Sequence, residues 1–200
     1  MAEKTRADLV ASARELFGRY GYRGTTFAQV AQQAGITRPA VHYHFPTKRA
    51  LYQQVTEACY RTVVATAVGE AVRERTLAQQ LSVFIDVAAR AVAQDRSAAA
   101  FLSTSAAECA TWPDLRDPEH DPITTVRAFL TWAVRAAEQR EELRADIEPG
   151  PLVELLVALL CGVWVYVGFL GTEQERAITD TIHHLLTGGL SALTEHNGPY

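Results

Sequence analysis

Between Thr26 and Phe45 the chain is punctuated so closely that only two short helices fit. Thr26-Phe27-Ala28-Gln29 has the form of a capping box, in which a threonine hydroxyl and a glutamine side chain satisfy each other's backbone N–H groups. Phe27, Val30, Ala31 and Ala34 then recur on one helical face. Gly35 supplies the left-handed residue that ends such a helix. Thr37 offers the next N-cap, and Pro39 falls in the first turn, where a missing N–H is harmless. Pro46 stops this segment around His44 or Phe45. Two short helices joined by Ala34-Gly35-Ile36-Thr37 make a helix-turn-helix.

The second of these helices separates cleanly into faces. Ile36, Ala40, Val41 and Phe45 are placed to pack on the preceding helices, which leaves Arg38, Pro39, His42 and Tyr43 outward. Outward aromatics suit a surface poorly but suit phosphates, sugars and thymine methyls. A helix-turn-helix docks its second helix in the major groove of DNA. Thr26 and Thr37 start helices whose N–H groups and positive dipole ends attract phosphate. Lys48, at the start of a fourth helix capped by Thr47, places a cation where it is mildly unfavourable for the helix. That placement fits a site kept for a phosphate.

Charge follows the same division. The net charge is −4, yet residues 1–60 hold eight Lys or Arg against four acids, so that segment carries +4 and the rest −8. A basic third on an acidic body points to a polyanionic partner for that third alone.

Helical periods fill the remainder. Residues 6–20 place Leu9, Ala13, Leu16, Phe17 and Tyr20 on one face before Gly21 and Gly24. The fourth helix carries Leu51, Val55, Ala58, Cys59 and Thr62 inward. Further helices follow Leu77, Leu81, Phe84 and Ala88, then Phe101, Leu102 and Ser105, then Ile123, Val126, Phe129, Leu130 and Ala133. A loop, TWPDLRDPEHDP, precedes the last of these. An uncharged run from Leu155 to Thr172 is near the lower limit for a membrane span. Interrupting glycines and the absence of flanking Lys or Arg favour a helix buried on all sides in a soluble protein. A final helix, capped by Thr172 and Glu175, carries Ile178, Ile182, Leu185 and Leu186. The expectation is an all-α chain of about nine helices with no strand.

Cys59, Cys109 and Cys161 show no zinc or redox spacing, and they read as buried thiols of a reducing cytoplasm. The N-terminus has no apolar core of a secretory signal. Nucleophile-elbow, phosphate-loop, dinucleotide and HExxH zinc motifs are missing. Asp180 and His184, four apart, read as a surface pair rather than metal ligands. No enzyme activity, metal or cofactor is expected.

Residues 6–55 resemble the DNA-binding domain of the tetracycline-repressor (TetR) family. The likeness runs through GYRGTT, VAQQAGIT, the YHF end of the third helix and TKRAL at the start of the fourth, about a quarter of the chain. Beyond it only the helix count and ELRADIEPGPLVELL are similar. The resemblance implies phosphate contacts from Thr26, Thr37, Tyr43, His44 and Lys48, and base-edge contacts from Arg38, Pro39 and His42. His44 stays open between that role and a packed ring bonded to a backbone carbonyl. His42 stands where the family most often has Tyr, so the contact usual there is in question and pH-sensitive binding becomes an expectation.

The family also implies a division into an N-terminal helix-turn-helix domain, residues 1–50, and a helical effector-binding and dimerisation domain, residues 51–200. A small helix-turn-helix reads few base pairs, so a homodimer on palindromic double-stranded DNA follows. The last two helices, 152–170 and 173–193, are the expected dimer surface. An effector pocket is expected among Phe84, Phe101, Ser105, Cys109, Trp112, Phe129, Trp132, Cys161 and Trp164. Apolar walls with few polar groups suit a small hydrophobic effector, aromatic or lipid-like. The other reading is a small-molecule-binding or protein-docking module whose helix-turn-helix no longer reads DNA, with His42 as its only support.

Overall fold

The computed structural model describes residues 2–170 with Ala177, Thr181 and His184, and the side chains of residues 5–162 and of those three. Every regular element among them is helical. Helix α1 (Ala2–Gly24) is broken at Gly21, where φ is 72° and ψ 176°. Then come α2 (Phe27–Gln33), α3 (Arg38–His44) and α4 (Lys48–Cys59). A π-helical turn at Tyr60–Ala65 links α4 directly to α5 (Thr66–Ala71). Helices α6 (Leu77–Gln94) and α7 (Arg96–Thr111) follow, then a 3-10 turn at Pro113–Leu115. Helices α8 (Pro122–Gln139) and α9 (Pro149–Leu170) complete the described elements. The terminal helix expected over 173–193, and the Asp180–His184 pairing with it, lie outside the described residues.

The predicted punctuation forms locally. Thr26 Oγ1 accepts from the Gln29 N–H at 3.3 Å, and Gln29 Oε1 accepts from the Thr26 N–H at 2.8 Å. Gly35 takes the left-handed conformation at φ 67°, and Thr47 Oγ1 accepts from the Ala50 N–H at 3.0 Å. Thr37 is the N-cap of α3 by backbone only, since its side chain makes no capping bond.

One departure has a clear cause. Spacing places Thr62 on the inner side of the fourth helix, yet it is exposed, while Val63 and Val64 are buried. The π turn adds a residue to the helical repeat there. The buried face therefore moves on by one position, to Val63, Ala67 and Ala71.

The chain forms two compact units. The first comprises the residues up to Arg61 together with Asp95–Asp121, and the second Thr62–Gln94 together with the residues from Pro122 on. This cut differs from the division at residue 50, because α4 and α7 belong with the N-terminal helices. The reason is aromatic packing. Phe101 of α7 lies 5.2 Å from Tyr52 of α4 and 6.5 Å from Phe17 of α1, ring centre to ring centre, and Tyr52 meets Phe17 edge-on at 5.1 Å. All three are almost fully buried. Arg14 of α1 adds an ion pair with Asp95 and a 2.7 Å bond to Ser97 Oγ.

In the second unit Leu77, Leu81 and Phe84 of α6 are buried, as are Val126, Phe129, Leu130 and Val134 of α8 and Leu152, Leu156 and Leu160 of α9. Within the single chain, helix α9 leaves one stripe of its described side chains open. Leu155 and Leu159 are 57% and 49% exposed, and Ala158 and Gly162 lie on the same open stripe. Among the described residues no helix is long and apolar enough to cross a membrane.

Candidate nucleic-acid interface

Helix α3 is divided by burial as its spacing predicts. Val41 is fully buried, Phe45 nearly so, and Ala40 is half-buried, whereas Ile36 stands between buried and exposed at the turn. Arg38, Pro39, His42 and Tyr43 line the outer side, with Tyr43 84% exposed. Positions i, i+1, i+4 and i+5 form one edge of a helix, so these four share a single outward edge. Thr26 and Thr37 are exposed at the starts of α2 and α3.

The two histidines behave differently from free surface groups. The His42 ring meets Phe27 edge-on at 4.7 Å, which fixes its plane while its edge stays exposed. His44 is half-buried, and its ring lies 5.3 Å from that of Tyr43.

Lys48 takes a place that spacing did not foretell. Its Nζ donates to the carbonyls of Tyr22 at 2.8 Å and Thr25 at 2.9 Å. It also lies 4.4 Å over the Tyr22 ring. Burial draws the ammonium below its ordinary pKa, and the Glu108 carboxylate acts against that shift. An ammonium has three donors, and two of them close the turn between α1 and α2. Lys48→Met keeps most of the stem and removes both bonds. It is expected to lower unfolding stability by roughly 1.5 kcal/mol, read from denaturant melts of the chain without DNA. A lysine serving phosphate alone would leave that melt unchanged.

Glu108 of α7, which spacing does not single out, meets the same turn from the other side. Its Oε1 accepts from the Tyr22 N–H at 2.5 Å, and its Oε2 accepts from the Tyr52 hydroxyl at 3.2 Å. Burial, with the neighbouring Cys109 and Glu108, raises the Tyr52 pKa well above that of a free phenol. The only local signal is one carboxylate in the small-residue run Ser105-Ala106-Ala107-Glu108-Cys109.

The expected effector-pocket residues divide between the units. Phe101, Ser105, Cys109 and Trp112 belong to the first. There Phe101 fills the aromatic core, and the buried Ser105 hydroxyl donates to the Leu102 carbonyl at 3.0 Å. Cys109 is half-buried beside Tyr52, and burial raises its thiol pKa. The ring of Trp112 lies 4.5 Å under the Arg23 guanidinium. Phe84, Phe129, Trp132 and Cys161 belong to the second unit. Phe84 and Phe129 stack at 5.5 Å, and Trp132 follows at 6.3 Å from Phe129.

Trp132 is 47% exposed and lines an open groove on α8 of about 620 Å³ with Thr124, Arg127, Thr131 and Arg135. Cys161 is half-buried, and the Trp164 side chain lies outside the described residues. One further polar group escapes a reading by spacing. Gln80, one helical turn before Phe84, is 1% exposed, and its Oε1 has no hydrogen-bond partner among the described residues. Of the three cysteines only Cys59 is fully buried, and burial pushes its thiol up to about 12.

Residues 9–55 match the sequence profile of the bacterial regulatory proteins of the tetR family. The HTH-type transcriptional regulator TtgR of Pseudomonas putida is 36% identical over 61 residues, 30% of this chain and 29% of TtgR. The match thus spans under a third of that regulator's length. A solved structure concerned with the control of antibiotic production by bacterial hormones superposes with a TM-score of 0.71 at 26% identity, covering 92% of this chain and 96% of that one. The ketosteroid transcriptional regulator KstR2 of Mycobacterium tuberculosis has the same fold, with a TM-score of 0.76 at 15% identity over 96% and 95% of the two chains.

Proposed function

We propose that the chain, whose residues 9–55 match the tetR family of bacterial regulatory proteins, is a ligand-responsive, DNA-binding transcriptional regulator. It binds a palindromic operator as a homodimer, acts as a repressor, and is released by a small hydrophobic effector. The observation that carries this is the outer edge of α3, where Arg38, Pro39, His42 and Tyr43 face outward above the buried Val41 and Phe45.

Arg38, Pro39 and His42 meet base edges in this reading. Thr26, Thr37, Tyr43, His44 and the remaining donor of Lys48 meet phosphate, which positions the protein without reading sequence. Residues 1–50 serve DNA, and 51–200 serve effector and partner subunit. The aromatic stack of Phe84, Phe129 and Trp132 is the apolar part of the effector site, and Gln80 Oε1 is an acceptor for a ligand donor near it. Apolar walls with a few placed polar groups are what such sites use.

Effector and operator compete through one equilibrium, so saturating operator weakens effector binding by the factor with which effector weakens operator binding. Selection of bound sequences from random duplex DNA is expected to return a palindrome, and a mobility shift on it should weaken steeply with salt. Recovery of no sequence, or a shift indifferent to salt, refutes the reading. A ligand screen in which only highly charged metabolites raise the melting temperature refutes the hydrophobic effector.

The one feature behind the second reading, a small-molecule-binding or protein-docking module that no longer reads DNA, is His42 where the family most often has Tyr. The same selection experiment separates the two.

A further inference from the structure

The segment Gly21–Thr25 is held by more bonds than its length requires. It leaves α1 at Gly21, in a conformation that L side chains rarely adopt, and delivers the N-cap of α2 at Thr26. A Cβ on Gly21 would stand 2.6 Å from Glu108 Oε1, so the carboxylate occupies the notch that the glycine leaves. From there Glu108 takes the Tyr22 N–H, while Lys48 takes the Tyr22 and Thr25 carbonyls. Thr25, fully buried, donates its hydroxyl to the Gly21 carbonyl at 2.8 Å. Glu108 is tied in turn to the buried Tyr52 of α4. One carboxylate on α7 thereby joins the lead-in to the helix-turn-helix with the helix that follows it.

We propose that Glu108 is a positioning residue for DNA recognition, acting through the Gly21–Tyr22 turn and Tyr52 to set the orientation of α2 and α3 on α1 and α4. The proposal rests on the DNA-binding reading above. Phosphate contacts tolerate small errors of orientation, because backbone charge repeats along the duplex, whereas base-edge hydrogen bonds do not. Loosening the turn should therefore cost sequence-specific binding far more than non-specific binding. It also makes α7 an input to operator affinity, because any displacement of α7 is felt at the turn through this carboxylate.

The test compares the full-length chain with Glu108→Ala, which removes both bonds, and with Glu108→Gln, which keeps the shape and one acceptor. Binding is measured by fluorescence anisotropy on the duplex recovered by selection and on a scrambled duplex of the same composition. Each protein is held at the same interval below its own melting temperature. Glu108→Ala is expected to lose at least about tenfold on the selected duplex, the size of a mismatched base pair, and to stay within about twofold on the scrambled one with an unchanged salt slope. Glu108→Gln should fall between Glu108→Ala and the parent.

Equal affinity of variant and parent for the selected duplex overturns the proposal, as does a parallel loss on both duplexes. If Glu108→Ala lacks the helical signal of a folded chain, Glu108→Gln decides by the same criterion. A parent that binds no duplex defeats the DNA-binding reading and this proposal with it, whereas a parent that binds beside an unaffected variant defeats only the proposal.

Discussion

Changing Leu155 and Leu159 together to glutamate is expected to convert a dimer into a monomer and to abolish tight operator binding, while leaving the helical content of the chain intact. Both leucines stand half-exposed on α9, in line with Ala158 and Gly162, on the side away from the buried Leu152, Leu156 and Leu160. A stripe at i, i+3, i+4 and i+7 is the pattern by which one helix packs on another. In a two-fold symmetric pair each substitution is counted twice. Burying a leucine contributes roughly 1.5–3 kcal/mol, and each glutamate would bring a charge that must be desolvated without a partner. Dimerisation should therefore weaken by at least about a hundredfold, by the same apolar-area reasoning. Sedimentation of the purified chain at micromolar concentration reads the change directly. Operator affinity should fall to that of a single half-site. A double variant that still sediments as a dimer and holds the operator would place the dimer surface elsewhere.

Arg38→Ala is expected to weaken operator binding by about 1–3 kcal/mol per half-site and to relax the base preference at one position of each half. Arg38 is exposed at the first position of α3, so its loss should leave the melting temperature where it was. Arginine pairs in bidentate fashion with guanine O6 and N7, and that pairing is lost outright with the side chain. The contrast with Lys48→Met is diagnostic. One variant should change affinity with no effect on the melt, and the other should change the melt before any DNA is added. Repeating the selection with Arg38→Ala and recovering the parent's preference at every position would remove Arg38 from the base-reading set.

The helix-turn-helix is legible in the sequence because each of its determinants is local. A capping threonine, a glutamine three residues on, a glycine at φ 67° and a proline in a first turn act within their own four or five residues. Spacing alone separates the buried Val41 and Phe45 from the outward Arg38, His42 and Tyr43. It does not reveal the two carbonyl bonds of Lys48, because a cation at a helix start looks the same whether or not it also reaches back to two carbonyls some two dozen residues earlier. Phe101, Ser105, Cys109 and Trp112 carry the residue types of a ligand pocket, yet they stand with the N-terminal helices. Nothing in residues 96–112 announces that Phe17 and Tyr52 will be the neighbours of Phe101. Likewise no local signal marks the π turn that moves the buried face from Thr62 to Val63.

By itself the sequence determined the helical class, the two short helices and the outward edge of α3, since caps, turns and periodicity act over a few residues. Only the tertiary structure decided that Glu108 and Lys48 would clamp the same turn and that α7 would join the N-terminal unit. It also left one stripe of α9 open. Those outcomes depend on side chains meeting across as many as eighty-six residues of chain, where packing and the satisfaction of buried hydrogen bonds choose the neighbours.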